Sequence, residues 1–185
     1  MPSNKVHIHG YAIVSDDDRI ADSSGKTPPS LRNDADWTYF QRELDRADLV
    51  ALGRLGHEAN ANVKNRRRLV LSRAAHGLER RGDDWWWDPH KTAWGEVAAI
   101  LLPTGGRVAV PGGQAVFDLF KDIGYDVFHL TRARGVLLPG GRALFSACNH
   151  GISAEAALSA AELRLDGEDI LDAAANVTLA LWRKR

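Results

Sequence analysis

Two glycines, two arginines and one carboxylate carry the chemistry that can be read from this chain. The run Arg107-Val-Ala-Val-Pro-Gly-Gly-Gln-Ala-Val-Phe-Asp-Leu-Phe120 reads as a buried strand that breaks at Gly112-Gly113 and passes straight into a helix. Such a junction aims free backbone N–H groups, and the positive end of a helix dipole, at whatever lies above it. Lacking Cβ atoms, the glycines admit close approach, and an anionic group such as a pyrophosphate fits there. The junction suggests a nucleotide cofactor; a plain tight turn is the other reading. Arg54 and Arg73 stand at the ends of neighbouring predicted strands. Their guanidinium forks suit phosphate, and they read equally as solvated charge. Asp36 opens a predicted helix. A helix-initial carboxylate commonly caps or meets the dipole, but Asn33 and Asp34 are also available as caps, which leaves Asp36 free for another use.

The elements that must position these groups follow from hydrophobic pattern. Val6 to Val14 reads as a buried first strand, ended by the acidic turn Ser15 to Arg19 and a long Ser-, Gly- and Pro-rich loop through Ser30. Trp37, Phe40 and Leu44 then fall on one helix face. Strands are predicted at Asp48 to Gly53, Arg67 to Ser72, Trp85 to Trp87 and Tyr125 to Thr131, and helices at Arg54 to Asn60 and Thr92 to Leu102. Strands separated by helices at this spacing imply a mostly parallel sheet with right-handed crossovers, and so an α/β sandwich of three layers. Near the C-terminus, Ser153 to Leu163 reads either as a helix or as a lead into a strand at Glu162 to Leu165. Asn176 to Trp182 is a strand, and an antiparallel pair closes the sheet.

Composition narrows the class of function. The chain's 185 residues suit one domain over residues 1–185, with 44% hydrophobic and 26% charged residues. Lys plus Arg and Asp plus Glu both number 24, so no net field favours nucleic acid or an anionic membrane, and a small-molecule substrate is the expected partner. Homodimerisation stays open. The single cysteine, Cys148, excludes an internal disulfide and a cysteine metal cage, and points to a cytoplasmic setting. The N-terminal stretch lacks the apolar run of a signal peptide, and no segment reaches membrane-spanning length. His7 and His9 alternate on a strand without a carboxylate at metal-ligand spacing, so no metal site is expected. Trp85 to Trp87 reads as a partly buried strand with one exposed tryptophan.

The segments IVSDDDRIAD, ADWTYF, LVALGR, RRRLVLSR, AVPGGQAVFDLF and VFHLTRA, in that order and at those spacings, resemble the dihydrofolate reductase superfamily, which includes the pyrimidine reductase domain of riboflavin biosynthesis. The resemblance runs from about Val6 to Leu130. It implies NADPH as cofactor, with Arg54, Leu55 and Gly56 on its phosphates, Ser72 and Arg73 at its 2′-phosphate, and Gly112, Gly113 and Gln114 along the pyrophosphate. Ile13 would offer its backbone to the nicotinamide carboxamide, with Ile20 closing that pocket. On the substrate side it implies Asp36 as the acid that grips a pterin ring, Thr131 as the hydroxyl bonded to it, Trp37 and Phe40 against the substrate, and Arg66 on a carboxylate tail. Hydride transfer from NADPH to a C=N bond of dihydrofolate or a related pterin is the implied reaction. A riboflavin-pathway pyrimidine reductase and a non-catalytic NADP-binding relative are the alternatives. The chain departs from the family in having Ser30-Leu31 where most dihydrofolate reductases have Pro-Trp, Gly56 where a hydroxyl residue is usual, and Leu138-Pro-Gly-Gly-Arg-Ala-Leu-Phe145 in place of Gly-Asp-x-x-Phe-Pro.

Overall fold

In the computed structural model, which describes residues 5–185, the first half of the chain runs β1 (Val6–Val14), β2 (Arg19–Ala21), α1 (Asp34–Asp45), β3 (Leu49–Gly53), α2 (Arg54–Ala59), β4 (Arg68–Leu71), β5 (Leu78–Arg81) and β6 (Asp84–Trp87). The second half runs α3 (Trp94–Leu101), β7 (Gly106–Gly112), α4 (Gln114–Ile123), β8 (Val127–Ala133), β9 (Arg142–Ala143), α5 (Ala154–Ala160), β10 (Leu163–Asp172) and β11 (Val177–Lys184). Nine strands form one sheet in the order β10-β11-β8-β1-β7-β3-β4-β6-β5, and β2 pairs with β9 in a separate ribbon. The six strands from β8 to β6 are mutually parallel. Antiparallel pairs close both edges.

Helices on both faces explain why the central strands read as nearly unbroken apolar runs, with every residue of β8 buried. On one face α3, α4 and α5 bury Val97, Phe117, Phe120 and Leu158 against Ile8, Val108, Val110, Phe128 and Leu130. On the other, α1 sets Leu44 and Phe40 over Tyr11, Val50, Leu52, Val70 and Ala109. The predicted three-layer sandwich is therefore the observed one. Among the described residues no helix is long and apolar enough to cross a membrane.

Which face each helix takes creates the cleft. α1, after β1, covers the Tyr11 face. α2, after β3, lies on that same face, where His57 meets the Trp86 ring edge-on at 5.7 Å and Arg68 at 3.2 Å. Between those strands, β7 sends α4 to the opposite face. Helices that diverge from adjacent parallel strands leave a crevice at the carboxyl ends, where open α/β sheets bind ligands.

Several local expectations change. The helix predicted from Thr92 starts at Trp94, and the strand predicted from Arg67 starts at Arg68. Arg66 and Arg67 thus precede the strand. Ser153 to Leu163 resolves into a helix followed by a strand: Ser153 caps α5, accepting from the Ala156 N–H, and β10 begins at Leu163. No tryptophan of the triplet is exposed; Trp87 is buried, and Trp86 is covered by Arg81, whose guanidinium lies 4.6 Å from the ring centre. The β2–β9 ribbon and β5 were not foreseen.

Candidate active site

α1 carries two rows of side chains. Phe40, Leu44 and, just past the helix, Ala47 form the apolar row that packs over β3 and β7. Asp36, Tyr39 and Glu43 form a polar row one turn apart, turned toward β8 and β1. Asn33 caps the helix: its side-chain oxygen accepts from the Asp36 N–H at 3.0 Å, while its amide donates to Asp172 at 2.9 Å. Capping by Asn33 leaves the Asp36 carboxylate without a local backbone partner. It is half-buried, and burial pushes its pKa above the usual carboxylate range, while the nearby Thr131 hydroxyl acts the other way. The charged form has lost water, and one hydroxyl compensates only in part.

Thr131 is buried on β8, directly beside Ile13 in the register of β1. Asp36, Thr131 and half-buried Ile13 therefore meet at one point near the carboxyl end of β1. Ile20, on β2, is half-buried and packs against the large core.

The diglycine junction lies one strand away. Gly112 has φ +105, and a Cβ there would fall 2.4 Å from Phe117 Cε2, so only glycine fits. The Gly112–Gly113 peptide is cis. At Gly113 the situation reverses: the residue is exposed, and a Cβ would meet nothing within 4 Å. Gly113 heads α4 without a side-chain cap, and Gly53 heads α2 likewise. Leu52 pairs with Gly112 across the two strands, so both uncapped termini emerge side by side. The Gln114 amide donates to the Ala143 carbonyl at 3.1 Å and so braces the ribbon.

The remaining predicted residues divide into those left open and those already engaged. Leu55 is 64% and Trp37 57% exposed. Gly56 lies in the first turn of α2. Ser72 Oγ accepts from the Ala74 N–H, and Arg73 beside it is exposed, with no salt-bridge partner among the described residues. Arg54 is paired with Glu58 at 2.8 Å. Phe40 packs into the second core, 6.1 Å from the Tyr11 ring. Arg66 is drawn to the far end of α1, where it donates to Asp45 Oδ1 at 2.6 and 3.0 Å and to Gln41 Oε1 at 2.8 Å. The structure therefore brings together Asp36, Thr131 and Ile13, and separately Gly112, Gly113 and the α2 terminus; it does not bring Arg66 to Asp36.

No protein-family model matches the sequence, and no curated protein matches it either. Solved structures do. A protein assigned to riboflavin biosynthesis from Shewanella sp. PV-4 superposes with a TM-score of 0.67 over 97% of this chain and 99% of its own, at 16% identity. Dihydrofolate reductase from Enterococcus faecalis, complexed with NADP(H) and RAB-propyl, gives 0.66 over 97% and 96%, at 15% identity. The chain has the dihydrofolate reductase fold. A deaminase and 5-amino-6-(5-phosphoribosylamino)uracil reductase from Thermotoga maritima gives 0.62 at 16% identity, and there the match covers 98% of this chain but 57% of the other.

On this dihydrofolate reductase fold the polar row of α1 faces a network the sequence reading missed. Tyr39 lies 2.6 Å from His129 Nδ1, and His129 Nε2 lies 3.3 Å from His9 Nδ1. Tyr11 stands 3.5 Å from that nitrogen and donates to Glu43 at 3.4 Å. Buried Glu43 also pairs with Arg46 at 2.8 Å and Arg107 at 3.4 Å. Burial holds His9 down to about 4 and His129 to about 3, keeping both rings neutral. His9 was visible as one of two alternating histidines; the only other signal was the spacing Asp36, Tyr39, Glu43.

Proposed function

We propose that the chain is an NADPH-dependent reductase that transfers a hydride to a C=N bond of a pterin or related heterocycle held against Asp36. The observation that carries this reading is the Asp36 carboxyl: half-buried, beside the Thr131 hydroxyl, raised in pKa by burial, and placed where α1 and α4 diverge. Several features fit the cofactor: the exposed backbone at Gly113, the paired uncapped helix termini, and Arg73, exposed and without a salt-bridge partner among the described residues. NADP(H) in the E. faecalis enzyme of the same fold supports the choice. When bound, NADPH supplies the hydride.

The chain's own residues do the rest. Asp36 offers two oxygens to the paired N–H groups of a heterocycle, a charge-assisted fork that fixes ring orientation. Its raised pKa brings proton exchange nearer to neutral pH, which suits promotion of protonation at the ring nitrogen through water. The Thr131 hydroxyl stands beside the carboxyl to help orient it, and orientation of the two rings supplies most of the rate. Arg66 is engaged by Asp45 and Gln41, which favours a heterocycle without an acidic tail over one that needs that arginine. Similarity to the Shewanella and Thermotoga proteins favours, as a second reading, the riboflavin-pathway pyrimidine.

The deciding experiment follows NADPH oxidation with dihydrofolate, dihydrobiopterin and the riboflavin-pathway pyrimidine offered separately, for the native chain and Asp36→Asn. Turnover of a pterin that the substitution abolishes supports the proposal. Turnover of the pyrimidine alone supports the second reading, and tight NADPH binding with no turnover would show a cofactor-binding protein instead.

A further inference from the structure

We propose that Tyr39 and His129 are a positioning pair that sets how the Asp36 carboxyl meets the Thr131 hydroxyl. The proposal rests on reading Asp36 as the group that grips the substrate. Asp36 and Tyr39 lie one turn apart on α1, an axial rise of about 4.5 Å. Thr131 and His129 lie two residues apart on the same face of β8, about 6.6 Å along the strand. The helix therefore sets two rungs against one strand: Asp36 on Thr131 and Tyr39 on His129. The second rung is short, 2.6 Å, and part-buried.

His129 is suited to this because it is held neutral. From β1 it faces His9 and Tyr11, whose ring stacks on it at 4.3 Å, and from α1 it faces Tyr39. Burial, His9, Arg107 on β7 and Arg183 on β11 all disfavour its protonated form. A neutral ring with its proton on Nε2 accepts from Tyr39 at Nδ1 and donates to His9, so both nitrogens are used. On the other side of Asp36, Asn33 accepts from its N–H and is itself anchored to Asp172. Asp36 is thus flanked by an anchored cap on one side and the Tyr39 rung on the other, and its carboxyl lies beside the Thr131 hydroxyl. Without the Tyr39 hydroxyl α1 loses its bond to β8 one turn beyond Asp36, water reaches the carboxyl, and its titration moves down toward the ordinary range.

The test uses substrate-free protein, carboxyl-labelled at aspartate, with the Asp36 signal assigned by Asp36→Asn and its titration followed by carbon NMR. Tyr39→Phe and His129→Leu are expected to lower the Asp36 midpoint. His129→Asn, whose amide can reach the place of Nδ1, is expected to keep it. In turnover, Tyr39→Phe should raise KM for the heterocycle about five-fold, the weight of one neutral hydrogen bond, with KM for NADPH unchanged. An Asp36 midpoint unmoved in folded Tyr39→Phe protein would overturn the positioning role while leaving the reading of Asp36 intact. An Asp36 that titrates in the ordinary range in the native chain would overturn that reading itself, and the positioning proposal with it.

Discussion

Acid should unfold this protein largely through the two histidines beneath α1. Burial is the main reason that His9 is held down to about 4 and His129 to about 3, from an ordinary value of 6.5, with Arg107 next for His9 and His9 next for His129. Only 8% and 6% of these residues are exposed, so solvent screens little of the effect. A histidine with a depressed folded pKa binds its proton more tightly when unfolded. Stability is therefore complete above the unfolded pKa and is lost as the pH falls toward the folded one. Inside that window each ring removes about 1.4 kcal/mol per pH unit. At about pH 5 the loss is about 2 kcal/mol for one ring and about 4 kcal/mol for both, a large part of the 5–15 kcal/mol typical of a folded domain. Urea unfolding of the native chain and of His129→Asn, across a series from about pH 7.5 down to about pH 5, measures this directly. The substitution costs stability at the upper end. It also removes one titrating ring, so the variant should lose about 2 kcal/mol less than the native chain between the two ends. Equal losses in both proteins would refute the assignment.

Other perturbations test other parts of the structure. Gly112→Ala forces a Cβ against Phe117 and should cost about 2 kcal/mol or more, lowering Tm by several degrees, whereas Gly113→Ala should leave Tm nearly unchanged and raise KM for NADPH. Arg132 is buried and donates to Asp18 at 2.8 Å, to Glu155 at 2.5 Å and to the Ser15 carbonyl; Arg132→Met strands the Asp18 carboxylate and should cost about 3–5 kcal/mol in chemical denaturation. Because burial raises the Asp36 pKa, the folded state carries an unfavourable charge above that pKa and none at low pH. Asp36→Asn should therefore melt higher than the native chain at neutral pH, with the difference closing as the pH falls, while turnover is lost. Arg73→Ala should weaken NADPH about ten-fold or more and leave NADH nearly unaffected, as loss of a charge-assisted phosphate contact requires, read from the ratio of the two kcat/KM values.

The order of the main strands and helices, the Gly-Gly break, and an acid at the head of the first helix were legible in the chain, because each follows from local rules. Alternation and helical spacing act within a few residues, glycine permits what other residues forbid, and Asn33 could be seen as a cap three residues before Asp36. The face of α1 carrying Phe40 and Leu44 was legible for the same reason. Its other face was not. Tyr39 and Glu43 became meaningful only when α1 lay across β8 and β1, bringing them to His129, His9, Tyr11 and Arg107 from as far as 90 residues away in sequence. Arg66 shows the same limit: its type suited a substrate carboxylate, yet chain geometry delivered Asp45 instead. The unforeseen β2–β9 ribbon joins two short segments more than a hundred residues apart, with no strong pattern in either. Residue types and spacing set what each segment could become; which polar groups then faced one another in the absence of water depended on the crossing of a helix over a sheet, and that crossing is a property of the whole packed chain.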